Sequence, residues 1–216
     1  MKPVETEPSE ESPVEIALTG DLTDHEGELT EKLLSVPFGG ECVLYIDSPG
    51  GSPYCAMSLA TIILLRKLRG TAFVTGECSS AALWPFAACA RRFVTPYSVL
   101  LFHAMKWQSE DHVELREAAE WARHFGKLEK DMDVLLCDLF QNSREQVLDW
   151  IRLGRYVSGP ELVAADLAEM VDLGKLAQTV RGGTSAPNAS ESKPSVQANG
   201  HATDSARTKK PAAVKG

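Results

Sequence analysis

The sequence predicts an α/β domain: a mainly parallel sheet with crossover helices, and one long helix projecting from it. Three observations carry this. Strand-like and helix-like segments alternate between residues 14 and 181, the order that parallel strands joined by crossovers require. Two strand-like segments, "CVLYID" (42–47) and "TAFVTG" (71–76), are nearly continuous apolar runs, the pattern of strands covered on both faces. Residues 112–140 keep an apolar stripe in steps of three or four, which marks an amphipathic helix longer than a crossover needs.

Taken in order, "VEIALTG" (14–20) reads as a strand ending in a glycine turn, followed by a helix over 23–36 with Leu29, Leu33 and Leu34 on one side. After the strand 42–47 comes the turn "SPGG" (48–51), then a helix over 53–68 with Ala56, Leu59, Ala60, Ile63 and Leu64 at helical spacing. The strand 71–76 leads into a helix over 79–90, and "RFVTPYSVLLFHA" (92–104) reads as two short strands bent at Thr95-Pro96. The helix 112–140 carries Leu115, Phe125, Leu128, Met132, Leu135 and Leu139 on one stripe, with Gly126 as a weak point in its middle. Roughly 29 residues at the α-helical rise span about 43 Å, enough to reach another subunit. A helix at 143–152 follows, and Ser158 and Pro160 signal the start of a last one.

A chain of 216 residues accommodates one domain with appendages. The core is placed at 14–181. Residues 1–13 hold four glutamates and three prolines, and residues 182–216 contain no Leu, Ile, Met or aromatic residue. Such segments bury too little apolar surface to offset chain entropy, so an acidic, disordered lead and a disordered, mildly basic tail are expected. The core carries 16 basic and 24 acidic residues, which argues against a nucleic-acid binder. No apolar run is long enough to span a membrane, and the acidic start lacks the features of a signal peptide. Five cysteines without metal-ligand spacing fit reduced thiols in a cytoplasmic protein.

Ligands of open parallel sheets collect at the carboxyl ends of the strands, here the corners at 48–51 and 76–80. Three elements there can make an acyl-transfer site. Ser79-Ser80 stands at a strand-to-helix turn, where a hydroxyl is exposed and backbone N–H groups face outward. Pro49-Gly50-Gly51 lets a backbone N–H approach a substrate carbonyl, because glycine has no Cβ. His103 ends the strand "VLLFH" and is the best-placed base. Each feature alone has a structural explanation: a serine pair as a helix cap, "SPGG" as a tight turn, the histidine as a packing residue.

In combination these segments resemble the proteolytic subunit of the Clp protease family. "LTGDLTDH" (18–25) is similar to the family's opening strand and turn, and "LYIDSPGG" (44–51) to its "YINSPGG" motif. "GECSSAA" (76–82) resembles "GxAASMG", which puts Ser80 rather than Ser79 at the nucleophile. "RFVTPYSVLLFH" (92–103) resembles the strand pair ending in the catalytic histidine, and "RYVSGPELVAADLAEMVD" (155–172) the segment "RFLSAPEAVEYGLVD". The resemblance implies the fold shared by ClpP and crotonase, with Ser80 as nucleophile and His103 as general base and acid. It implies backbone N–H groups of Gly51 and Ala81 as the oxyanion hole. Peptide hydrolysis through an acyl-enzyme then needs no metal or organic cofactor. Peptides or unfolded proteins would be the substrates, and a homo-oligomeric ring the assembly.

The family's third catalytic residue, an aspartate, falls on Gly154, with Asp149 and Glu161 the nearest carboxylates along the chain. Three arrangements stay open: a Ser-His dyad, a triad with a relocated acid, or a non-catalytic subunit that keeps the fold for structure or binding. After His103 the family's glycine-rich strand is replaced by "AMKWQSEDH", and its apolar N-terminal loops by an acidic lead. Partnership with an ATPase unfoldase is therefore not carried over. A crotonase-type thioester enzyme is a third reading, disfavoured by the Ser80–His103 pair.

Overall fold

The computed structural model describes residues 12–108 and 112–182, so the expectations for the acidic lead and the tail fall almost wholly outside it. The elements run β1 (Val14–Asp21), α1 (Leu22–Ser35), β2 (Glu41–Gly50), α2 (Pro53–Leu65), β3 (Arg69–Ser79), a 3₁₀ turn (Ser80–Ala82) and α3 (Leu83–Ala88). They continue with β4 (Arg91–Val94), β5 (Val99–Phe102), α4 (Leu115–Phe140), α5 (Arg144–Leu153), β6 (Arg155–Ser158), α6 (Gly159–Ala164), β7 (Glu169–Met170) and α7 (Leu173–Gly182). One seven-stranded sheet contains them all: the path β1-β2-β3-β4-β7 is parallel throughout, and β5 and β6 branch from β3. The domain is thus α/β with a mainly parallel sheet and crossover helices, as the alternation predicts.

β3 is long enough to serve two neighbours, and this positions the site. Its first half pairs with β4, Thr71 opposite Arg91 through Val74 opposite Val94. Its second half pairs with β5 in parallel, Ser79 opposite Leu101. β5 in turn pairs antiparallel with β6, Phe102 opposite Arg155. The bend expected at Thr95-Pro96 is what moves the chain from one half of β3 to the other. Ser98 fastens it: its hydroxyl donates to the Val74 carbonyl at 2.7 Å and accepts from the Thr95 N–H at 2.9 Å.

The strands 42–47 and 71–76 are not covered on both faces. Along β2 and β3, Cys42, Leu44, Ile46, Ala72 and Val74 are buried, while the alternate residues Tyr45 and Phe73 are only half-buried. The outer face is nevertheless apolar because it carries its own aromatic ladder. Tyr45 stacks on Phe73 with ring centroids 5.8 Å apart, and Phe73 on Phe93 at 4.9 Å. Such cross-strand pairs stabilise a sheet without a covering helix, and a strand with apolar residues on both faces reads in sequence as doubly buried.

Helix ends follow local chemistry. Asp21 caps α1 by accepting from the Thr23 N–H at 2.8 Å, and Ser52 caps α2 by accepting from Tyr54 at 3.2 Å, with Pro53 in the first turn. α6 starts where Ser158 and Pro160 predict, with the Glu161 carboxylate accepting from the Ser158 N–H. The helix expected at 79–90 is instead a 3₁₀ turn followed by the short α3. α7 was not foreseen beyond the end of the "VDLG" segment.

α4 runs unbroken through Gly126, around which a side chain would meet only open space. Its stripe behaves differently at its two ends. Met132, Leu136, Cys137 and Phe140 are buried, whereas Leu115 is 86 % exposed. Under the C-terminal half, Phe102 of β5 packs on Trp150 and Phe140, with centroids 5.2 and 6.4 Å away. Burying each of these rings contributes about 1.5–3 kcal/mol, and together they fix the strand that ends at His103. All five cysteines are free and buried.

Candidate active site

The register of β3 and β5 sets the site. With Ser79 opposite Leu101, the next residues along both strands are Ser80 and Phe102, and His103 follows directly. Ser80 and His103 line one cleft of about 210 Å³, together with Gly51, Ala81 and Trp84. All four residues singled out by the sequence for catalysis and for the oxyanion hole therefore border the same space.

Ser79 and Ser80 part company at this corner. Ser79 is buried, and its hydroxyl donates to the Glu77 carboxylate at 2.6 Å. It occupies the cap position of the 3₁₀ turn but makes no capping bond with its side chain, so of the two roles the sequence leaves to Ser79, capping or packing, the structure supports packing. Ser80 has φ +53°, in the left-handed region. A non-glycine residue there costs about 1–2 kcal/mol. The left-handed residue turns the chain sharply from β3 into the helix and leaves Ser80 half-buried at the cleft.

The glycines explain how the corner is held. Gly50 has φ +110°, and a Cβ there would stand 2.8 Å from the Ser79 carbonyl and 2.9 Å from the Ala81 nitrogen. The first glycine is thus needed for close packing of the protein's own turn. Gly51, at φ +145°, is the one bordering the cleft, and its Cβ would press on Thr23 and Leu22. "SPGG" is also not a free turn: β2 runs on through Gly50, beside Asp21 of β1. Ser48, wholly buried, donates to the Gly20 carbonyl at 2.6 Å and accepts from the Gly50 N–H at 3.1 Å. Thr23 accepts from the Ser52 N–H at 2.9 Å. Ser48 and Thr23 brace the glycines, a role that no pattern in the sequence announces.

The His103 Nδ1 lies 2.6 Å from the carbonyl oxygen of Ala104. A carbonyl can only accept, so Nδ1 donates this bond, which in the neutral ring leaves the lone pair on Nε2. No hydrogen bond joins the ring to the Ser80 hydroxyl among the described residues. On its other flank the β5–β6 register, Phe102 opposite Arg155, puts Gly154 across from His103. The two residues share a second hollow of about 380 Å³ with Arg152 and Tyr156. Gly154 ends α5 at φ +65°, the left-handed conformation usual after a helix C-terminus. The two carboxylates nearest along the chain are engaged elsewhere: Asp149 with Arg152 at 2.9 Å, and Glu161 with Arg155 and Ser158.

Two carboxylates that sequence reasoning passed over do border the Ser80 cleft. Glu129 and Asp133 stand one helical turn apart on α4. Glu129 accepts from the Met105 N–H at 2.8 Å. Burial, and then the charge of Glu129, push the Asp133 carboxyl up to about 6. Trp84 ties α3 to this helix by donating from its indole to the Met132 carbonyl at 3.1 Å. The segment after His103 folds back along α4, with Trp107 packed on Phe125 and Trp121 at 5.5 and 5.9 Å. Among the described residues no cluster of three or more His, Cys, Asp or Glu could hold a metal ion, and no helix is long and apolar enough to cross a membrane.

No family model matches the sequence, and no curated protein matches it either. Among solved structures, the fold matches a mutant of ClpP1 from Listeria monocytogenes with a TM-score of 0.63. The likeness covers 74 % of this chain and 91 % of that one, at 17 % sequence identity. The fold is that of ClpP. In this ClpP fold the corner after β3 and the end of β5 form one cleft, and β6 supplies the far flank of His103.

Proposed function

We propose that this chain is a ClpP-like serine peptidase. Ser80 Oγ attacks the substrate carbonyl while His103 Nε2 takes its proton. The N–H groups of Gly51 and Ala81 stabilise the oxyanion. The protonated His103 then gives its proton to the leaving amine, and water, activated by the same nitrogen, releases the acyl group. The observation that carries this reading is the strained Ser80 turn, which opens on the same cleft as a histidine whose Nδ1–H is held by a carbonyl. A carbonyl fixes the tautomer as a triad acid does, but it lacks the full charge that stabilises the imidazolium, so turnover is slow.

Peptides or unfolded proteins are the proposed substrates, and a homo-oligomeric ring the proposed assembly. The exposed N-terminal half of α4 and the outer aromatic ladder supply apolar surface for it. A cytoplasmic location fits five free, buried cysteines. Gly154 opposite His103 favours a second reading, a ClpP-like subunit that binds or builds without hydrolysis. Hydrolysis of fluorogenic peptides by purified protein separates the two. The peptidase reading expects release that Ser80→Ala abolishes and Ser79→Ala largely keeps; equal losses would place the nucleophile one residue away.

A further inference from the structure

The cleft beside Ser80 is not uniformly apolar. Trp84 and Met132 form buried walls, while Glu129 and Asp133 line it from α4. Glu129 has one oxygen engaged by the Met105 N–H. Asp133 is half-buried, and no hydrogen bond or ion pair reaches it from any described residue. Lys106 borders the same cleft, yet it is exposed and forms no ion pair with either carboxylate. An anion withdrawn from water without a partner destabilises the fold, and a cation entering the cleft would satisfy it. The space suits one side chain with an apolar stem and a charged tip: the walls pack the stem, and the carboxylates receive the tip.

We infer that the cleft selects a cationic substrate side chain, lysine or arginine, for the position next to the scissile bond, with Asp133 as the main specificity-determining residue and Glu129 as its support. This rests on the peptidase reading above. Selection follows from what a wrong substrate leaves behind. A leucyl side chain would pack against Trp84 and Met132 but bury two carboxylates without a counter-charge, and such mismatches discriminate more strongly than a missing methylene does.

The test compares arginyl, lysyl and leucyl aminomethylcoumarin peptides that are otherwise identical, on the full chain. In wild type the arginyl and lysyl substrates should exceed leucyl in kcat/KM by roughly tenfold or more. Asp133→Asn should lower that ratio about tenfold, and Asp133→Glu, which keeps the charge, should restore most of it. A leucyl preference in wild type, or a ratio that Asp133→Asn does not move, overturns the inference while the peptidase reading stands. If no peptide is cleaved, the peptidase reading falls, and calorimetry with butylguanidinium against neutral butylurea decides for the cleft alone. Guanidinium binding that weakens in Asp133→Asn supports cation selection, and its absence from wild type removes it.

Discussion

His103 has two flanks that the fold builds differently. Towards β3, Ser80 is forced into a left-handed turn, Gly50 packs against that turn, and Ser48, Thr23 and Asp21 brace the glycines. Towards β6, the cross-strand position is Gly154, and among the described residues the hydrogen bond of the imidazole is to the carbonyl of Ala104. Strain and close packing are concentrated on the first flank, whereas the second is open. The difference teaches that the fold can hold a serine corner tightly while leaving the histidine beside it with a backbone dipole as its hydrogen-bond partner. On the proposed peptidase reading, the first flank would form the acyl-enzyme and the second would limit proton transfer.

The largest effects are expected from breaking the first flank. Ser80→Ala should lower peptide hydrolysis about 10⁴-fold or more, since the remaining groups cannot replace a nucleophile. Ser79→Ala should leave most of it, because that hydroxyl faces Glu77 rather than the cleft. Gly50→Ala should follow with a loss on the order of 10²-fold, the scale of an ångström-sized displacement of reacting groups. Its Cβ cannot fit beside Ser79 and Ala81 without moving the turn. Circular dichroism and peptide kinetics on the same preparation distinguish a moved turn from an unfolded chain. A Gly50→Ala enzyme with wild-type kcat/KM would show that the glycine does not hold the site.

The second flank should respond in the opposite direction. Gly154→Asp places a carboxylate on the residue across from His103, and a side chain there meets nothing within 4 Å. Aspartate tolerates the left-handed conformation better than most residues. Turnover should rise about 10- to 10³-fold, within the range that loss of a triad acid costs. A folded variant with no gain would mean that the open flank does not limit the rate.

A smaller effect concerns Asp133. Its carboxyl, pushed up to about 6 by burial and by Glu129, binds a proton more readily in the folded chain than in the unfolded one. The charged form therefore costs stability above about pH 6, and the cost disappears as the pH falls towards the ordinary carboxylate range. His103, Lys106 and Glu129 line the same cleft, so the comparison is made between variants rather than from one melting curve. Asp133→Asn should be more stable than wild type by about 1–2 kcal/mol at pH 8, with little difference at pH 4. Thermal melts at the two pH values check the sign; a variant less stable at pH 8 would reveal a partner for Asp133.

The order of strands and helices, the serine corner, the glycines and His103 were legible as candidates because each rests on local chemistry: apolar periodicity, small residues at strand ends, a base at a strand terminus. The choice of Ser80 over Ser79 came from the family resemblance. The pairing of β5 with the second half of β3, and of β6 with β5, was not. Register between distant segments leaves no mark on either segment alone, yet it decides that Gly154 faces His103. The bracing by Ser48 and Thr23 and the acidic side of the cleft escaped for a related reason. Glu129 and Asp133 flank Met132 on α4, and a carboxylate beside an apolar stripe reads like any solvated helix residue until its neighbour across the cleft is known. The outer ladder of Tyr45, Phe73 and Phe93 misled in the other direction, because apolar residues on both faces imitate a strand with two covers.

The claim that Ser80 is an activated nucleophile is tested most directly by a fluorophosphonate probe, which reacts with serines whose proton a base can accept. The purified full-length protein is incubated with the probe, and the modified peptide is mapped by mass spectrometry. Covalent labelling confined to Ser80, and lost in both Ser80→Ala and His103→Ala, is the predicted result. A folded wild-type protein that stays unmodified, or one labelled at Ser79, would contradict it.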